Sequence, residues 1–198
     1  MASPFHGRVG AIYIGQTSAL ECSAATITIT DDAKLDFSAT NDFSIEMWLN
    51  HCDDGVAGFL LSKYNTAGLT GDSVDSDFTT AGYTICCDAT PRFVVADGTS
   101  DNTTSAIGSA FNNEQPVHIV ATRDADSDIS LFIDGVFADS TSDKTTGSLA
   151  NAQNLIIADP TDSIDFGLLS LTIYNKCLNS TEVSDLYAGR SGALDNIV

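Results

Sequence analysis

Apolar and polar residues alternate along most of this chain with a period of two, the spacing of a strand with one face buried. Thr-Ile-Thr-Ile-Thr at 26–30 is the plainest case. Over 43–50 there are two rows: Phe43, Ile45, Met47 and Leu49 on one face, Ser44, Glu46, Trp48 and Asn50 on the other. Further strands are predicted over 58–64, 82–87, 92–96, 154–158 and 167–174. The clearest unit runs from Val117 to Gly135. There Val117, Ile119 and Ala121 oppose His118, Val120 and Thr122, and Ile129, Leu131 and Ile133 share a face of the returning strand. Asp134-Gly135 closes the next turn, since glycine tolerates positive φ. Both faces of this ribbon are apolar, so it belongs in a sheet with another layer beneath it. The polar stretches 65–80, 98–105 and 139–147 read as loops. One helix is predicted, over 181–188, with Asn179 as cap and Glu182 three positions on. The pattern is that of an all-β, two-sheet antiparallel sandwich with one short C-terminal helix. It divides into residues 1–19, an N-terminal arm or edge strand, and residues 20–198, the sandwich domain.

Charge sharpens the picture. Twenty-seven acids against eight bases give a net charge of −19. Most of the acids are Asp, a residue of turns rather than helices, so the charge should sit on loop tips. Such a field repels nucleic acid and anionic membranes and suits cations, basic partners or plain solubility. The five cysteines are odd in number and irregularly spaced, without a Cys-x-x-Cys pair. They predict free thiols and no zinc site. No apolar run approaches the roughly 20 residues of a membrane helix. The first residues lack a basic start followed by an apolar core, so synthesis in the cytoplasm without a signal peptide is expected.

Three stretches carry a family resemblance. Val-His-Ile-Val-Ala-Thr-Arg-Asp followed by Leu-Phe-Ile-Asp-Gly resembles the central hairpin of laminin-G-like domains, a branch of the concanavalin A-like lectins. Leu35-Asp36-Phe37 followed by Phe43-Ser44-Ile45-Glu46-Met47-Trp48-Leu49 resembles the family's early strand. Asp165-Phe166-Gly167 through Ile173-Tyr174-Asn175-Lys176-Cys177-Leu178 and Glu182-Val183 resembles its closing strand and helix. One departure is Val117, where the family often places tryptophan. The resemblance implies a jelly roll of laminin-G type, a fold with many uses. Separately, Gly7-Arg8-Val9-Gly10-Ala11-Ile12-Tyr13-Ile14-Gly15 resembles the opening of some bacteriophage tail and capsid proteins.

Candidate chemistry follows from the residues. Glycosidases of this fold pair carboxylates on one strand in a Glu-x-Asp-x-x-Glu pattern, because acid and nucleophile must flank one bond. The four glutamates here, Glu21, Glu46, Glu114 and Glu182, are isolated. Trp48 could stack on a sugar ring with Glu46 on the same face, or serve in packing. His6, His51 and His118 have no neighbouring ligand partner, and a structural role is expected for each. The resemblance implies calcium held by rim loops through carboxylates and carbonyls. The candidate ligands are Asp124, Asp126 and Asp128, then Asp159, Asp162 and Asp165, with Asp72, Asp75 and Asp77 as a third set. The first set begins like an EF-hand loop, but Ile129 and Gly135 stand where Gly and Glu are required.

These features point to a non-enzymatic virion surface protein: a capsid decoration, fibre or tail component. It is expected to bind capsid or tail proteins through its N-terminal arm, to adhere to host cell-surface glycans, and to form homo-oligomers. The alternative is a calcium-dependent, extracellular carbohydrate-binding lectin module, and a glycosidase is a third reading.

Overall fold

The computed structural model describes residues 8–13, 20–22, 26–52, 58–64, 80–88, 90–99, 101–105, 115–158 and 165–194. Thirteen strands are found among them: β1 (Arg8–Tyr13), β2 (Leu20–Glu21), β3 (Ile27–Ile29), β4 (Phe43–Cys52), β5 (Gly58–Lys63), β6 (Ala81–Asp88), β7 (Thr90–Asp97), β8 (Asp101–Ser105), β9 (Val117–Arg123), β10 (Asp128–Ile133), β11 (Val136–Ser142), β12 (Leu155–Ile157) and β13 (Phe166–Tyr174). A 3-10 turn, Ala33–Leu35, precedes β4, and the helix α1 (Ser180–Leu194) follows β13. One sheet has the order β1-β13-β4-β9-β10-β11, with β2 also on β13. The other has the order β3-β12-β5-β6-β7-β8. All pairings are antiparallel, and the two sheets form a jelly-roll sandwich.

The interior is built from the rows that alternation marks. Phe43, Ile45, Met47 and Leu49 of β4 meet Tyr83, Ile85, Phe93 and Val95 of the opposite sheet, with Val117, Ile119, Ala121, Ile129 and Leu131 beside them. Aromatic rings join the layers. Phe37 stacks on Phe43 at 4.1 Å, and Phe43 meets Tyr83 at 5.3 Å and Phe93 edge-on at 6.0 Å. Each buried side chain of this size stabilises the fold by about 2 kcal/mol relative to exposure.

The central ribbon also buries its second face. Val120 and Phe132 pack with Tyr174, Leu178 and Val183, so α1 is the layer outside this sheet. The helix begins where its cap demands. Asn179 Oδ1 accepts from the N–H groups of Thr181 and Glu182 at 3.0 Å, and Glu182 Oε2 accepts from Asn179 N–H at 3.1 Å. It runs to Leu194, beyond the predicted 188. In the β10–β11 turn both Asp134 (φ 50°) and Gly135 (φ 77°) are left-handed, as a type I′ hairpin requires. A Cβ on Gly135 would lie 2.8 Å from Tyr187 Cβ, so the turn packs directly on α1.

Two expectations are corrected. Residues 101–105 are strand β8, paired with β7, and β11 extends through 139–142, paired with β10. Both end their sheets, where backbone pairing on one side suffices and polar side chains remain tolerable. The opening strand β1 pairs with β13 at the other end of its sheet. Of the stretch 65–80 predicted as a loop, residues 65–79 lie outside the described residues. Among the described residues no helix is long and apolar enough to cross a membrane. Cys22, Cys86 and Cys87 are buried, and Cys177 is half-buried.

Candidate functional site

Glu46 and Trp48 do share the outward row of β4, and cross-strand pairing sets His118 of β9 opposite Trp48. On the other side β13 brings Tyr174, opposite Ser44, toward the same carboxylate. Tyr174 Oη donates to Glu46 Oε2 at 2.5 Å, and Trp48 Nε1 donates to Oε1 at 3.3 Å. His118 Nε2 lies 3.3 Å from Oε1; because an ionised carboxylate only accepts, this nitrogen carries the proton. His118 Nδ1 meets no hydrogen-bond partner among the described residues.

This cluster is closed. Trp48 is 1% exposed, Glu46 6% and His118 0%. Tyr187 of α1 lies parallel to the indole with ring centroids 5.7 Å apart and stands 5.9 Å from the His118 ring. Trp48 and His118 stack at 4.5 Å. Trp48 is therefore part of the packing between sheet and helix, and it offers no open ring face to a sugar. Burial pushes the Glu46 carboxyl up. Hydrogen bonds from His118 and Tyr174, with smaller contributions from the field of His118 and from Trp48, outweigh burial and hold it below the usual carboxylate range. A glycosidase acid needs the opposite shift, and a partner carboxylate about 5 Å or more away across the scissile bond. The side chains bonded to Glu46 are a phenol, an indole and an imidazole.

The predicted calcium ligands are placed as follows. Asp124, Asp126 and Asp128 come together in the turn joining β9 and β10. Asp124 Oδ1 accepts from Asp126 N–H at 3.1 Å, and Asp124 N–H donates to Asp128 O at 2.9 Å. That carboxylate closes the hairpin. Asp165 precedes β13 and is half-buried, while Asp159, Asp162, Asp72, Asp75 and Asp77 lie outside the described residues. Among the described residues no group of three or more His, Cys, Asp or Glu side chains could hold a metal ion.

Two buried cations were not visible in the sequence. Lys63, at the end of β5, is 0% exposed and is surrounded by oxygens of Asp31, Asp36, Asn151 and Gln153. Arg123, at the end of β9, is also 0% exposed. Its Nε donates to Asp143 at 2.5 Å, and its terminal nitrogens donate to the carbonyls of Ser38, Ala39 and Asn41 and to Thr145 Oγ1. The only hint was a basic residue closing an otherwise apolar strand. On the outside, Val136 (67%) and Phe137 (54%) form an exposed apolar pair just past the β10–β11 turn.

Fold and site together define a lectin-like sandwich whose polar cluster, on the outer face of one sheet, is sealed by its own helix. The chain belongs to the concanavalin A-like lectin/glucanases superfamily, whose laminin-G-type family matches residues 23–184. Among solved structures it is similar to the binding domain of Paraclostridial Mosquitocidal Protein 1, with TM-score 0.69 and 17% identity, covering 93% of this chain and 47% of that one. It is also similar to the Botulinum neurotoxin serotype D ligand-binding domain in complex with N-acetylneuraminic acid, with TM-score 0.64 and 12% identity, covering 88% and 42%. The Botulinum neurotoxin DC binding domain in complex with rat synaptotagmin II gives TM-score 0.53 and 14% identity, covering 76% and 36%. The chain thus spans less than half of each of these domains, and at such identity the likeness is one of fold. No curated protein matches the sequence.

Proposed function

We propose that this chain is a non-enzymatic adhesion module that binds glycans on a cell surface. The observation that carries this reading is the state of Glu46. Its carboxyl is held below the usual range, sealed under α1 and hydrogen-bonded to Tyr174, Trp48 and His118, so it positions strands rather than moving protons. The superfamily name covers both lectins and glucanases, and this geometry favours the lectins. Support for adhesion comes from the likeness to toxin binding domains, one solved in complex with N-acetylneuraminic acid and one in complex with rat synaptotagmin II. With Trp48 enclosed, the exposed aromatic among the described residues that could stack on a sugar is Phe137.

A glycan array probed with the whole chain and with Phe137→Ala tests the reading, alongside an assay for released reducing ends. The expected result is saturable retention of particular glycans, weakened at least tenfold in the variant, with no cleavage. Cleavage, or retention of no glycan, would overturn it. Repeating the array in chelator separates calcium-dependent binding through the loop aspartates from calcium-independent binding.

The setting we propose is the surface of a virus particle, with β1 as the anchor. Among the described residues it ends its sheet, and a neighbour's strand could add to its other edge. Deleting residues 1–15 should abolish incorporation into particles. Because β1 pairs with β13, the deletion also strips a strand, so the melting temperature is measured beside it. A folded, truncated chain that still incorporates would remove the anchor.

A further inference from the structure

Five oxygens surround Lys63 Nζ: Asp31 Oδ1 at 2.8 Å, Asn151 O at 2.9 Å, Asp36 Oδ1 at 3.0 Å, Gln153 O at 3.1 Å and Asn151 Oδ1 at 3.5 Å. An ammonium has three N–H groups and one charge. The oxygens outnumber its donors, and the two carboxylates outnumber its charge. The surplus is felt next door. The Tyr83 hydroxyl, which donates to Leu35 O at 3.1 Å, is pushed far up by burial first and then by Asp36 and Asp31.

This donor set is chemically specific. Carboxylates, backbone carbonyls and a side-chain amide oxygen are what a hard divalent cation takes, at about 2.3–2.6 Å and with six to eight ligands. The cage would contract by about half an ångström to reach those lengths. Asp31 and Asp36 keep 33% and 27% of their side chains exposed, which leaves room for water to complete a shell. The scaffold is also held by bonds that do not involve Nζ. Asn151 Nδ2 donates to Lys63 O and Ala81 O, both at 2.9 Å, and Asn154 Oδ1 accepts from Asp31 N–H at 3.0 Å. Gly82 (φ 152°) permits that approach, because a Cβ there would lie 2.3 Å from Lys63 O. The cage should therefore outlast the loss of the ammonium.

We infer that the Lys63 ammonium is a built-in cation occupying a hard-cation site, and that the chain without it binds calcium there. The wild-type rim at 31–36 and 151–153 is accordingly held shut without metal.

The test compares wild type with Lys63→Ala and Lys63→Ser, by thermal unfolding in chelator and in calcium and by terbium luminescence sensitised through Tyr83. Each variant should gain roughly 5–10 °C at a calcium concentration a hundred times its Kd. Each should also show a saturable terbium signal that calcium displaces. Both responses should vanish when Asp31→Asn and Asp36→Asn are added. The inference is overturned if the variants respond no more than wild type, or if they stay unfolded in calcium as well as in chelator.

Discussion

Lys63 and Glu46 are both buried charges, yet they are held in opposite ways. The lysine sits at the rim of the sandwich among two carboxylates and two carbonyls contributed by loops. The glutamate sits at mid-sheet and is held by side chains of β4, β9 and β13 beneath a helix. One is answered by carboxylates and carbonyls of loops, the other chiefly by hydrogen bonds from side chains of the sheet. Burying a charge costs several kcal/mol, and either answer repays it only when every partner is in place. Loops can supply oxygens cheaply because their carbonyls are unpaired; strands have spent theirs on the ladder and must use side chains. The rim pair therefore ties distant loops to the sheet, and the mid-sheet cluster fixes the helix on its outer face.

The largest effect that would break this contrast is loss of the rim cation. Lys63→Ala in calcium-free buffer should cost about 4 kcal/mol in urea unfolding, because two carboxylates and two carbonyls are left facing one another. A cost under about 1 kcal/mol would mean that the loops do not depend on the ammonium.

Next comes the mid-sheet anion. Glu46→Ala should cost about 3 kcal/mol, since Tyr174, Trp48 and His118 each lose an acceptor. The pH dependence has a definite sign. The folded carboxyl titrates below the unfolded one, so its contribution is complete above the ordinary glutamate value and drains away as pH falls through the lower folded value. Stability of the Glu46→Ala variant should fall less steeply than that of wild type in this acid window. Equal slopes would show that Glu46 is not the titrating group.

The smallest effect is the single hydroxyl. Tyr174→Phe should cost about 1.5 kcal/mol, the worth of one hydrogen bond to an ionised acceptor. A change indistinguishable from zero would place the anion's support on Trp48 and His118 alone.

Local pattern revealed a large part of this structure. The two rows of β4, the two faces of β9, the Asp134-Gly135 turn and the Asn179–Glu182 cap all follow from residues a few positions apart. What stayed hidden depends on distant ones. The polar strand β8 and the tail of β11 owe their extended form to pairing with β7 and β10, which their own side chains do not announce. The shared face of Glu46 and Trp48 was legible, but not its cover, since Tyr187 reaches it from the last helix. Lys63 and Arg123 look like surface residues until the loops that enclose them are in place.

Trp48 is the only tryptophan, so acrylamide quenching of its emission reports on the central claim directly. If the Glu46–Trp48 cluster is sealed architecture, the folded chain should resist quenching almost entirely. Sugars retained on the array should leave the emission unchanged, and quenching should appear only on unfolding. Free quenching in the native state, or protection that appears on adding sugar, would make the indole a ligand surface and contradict the account.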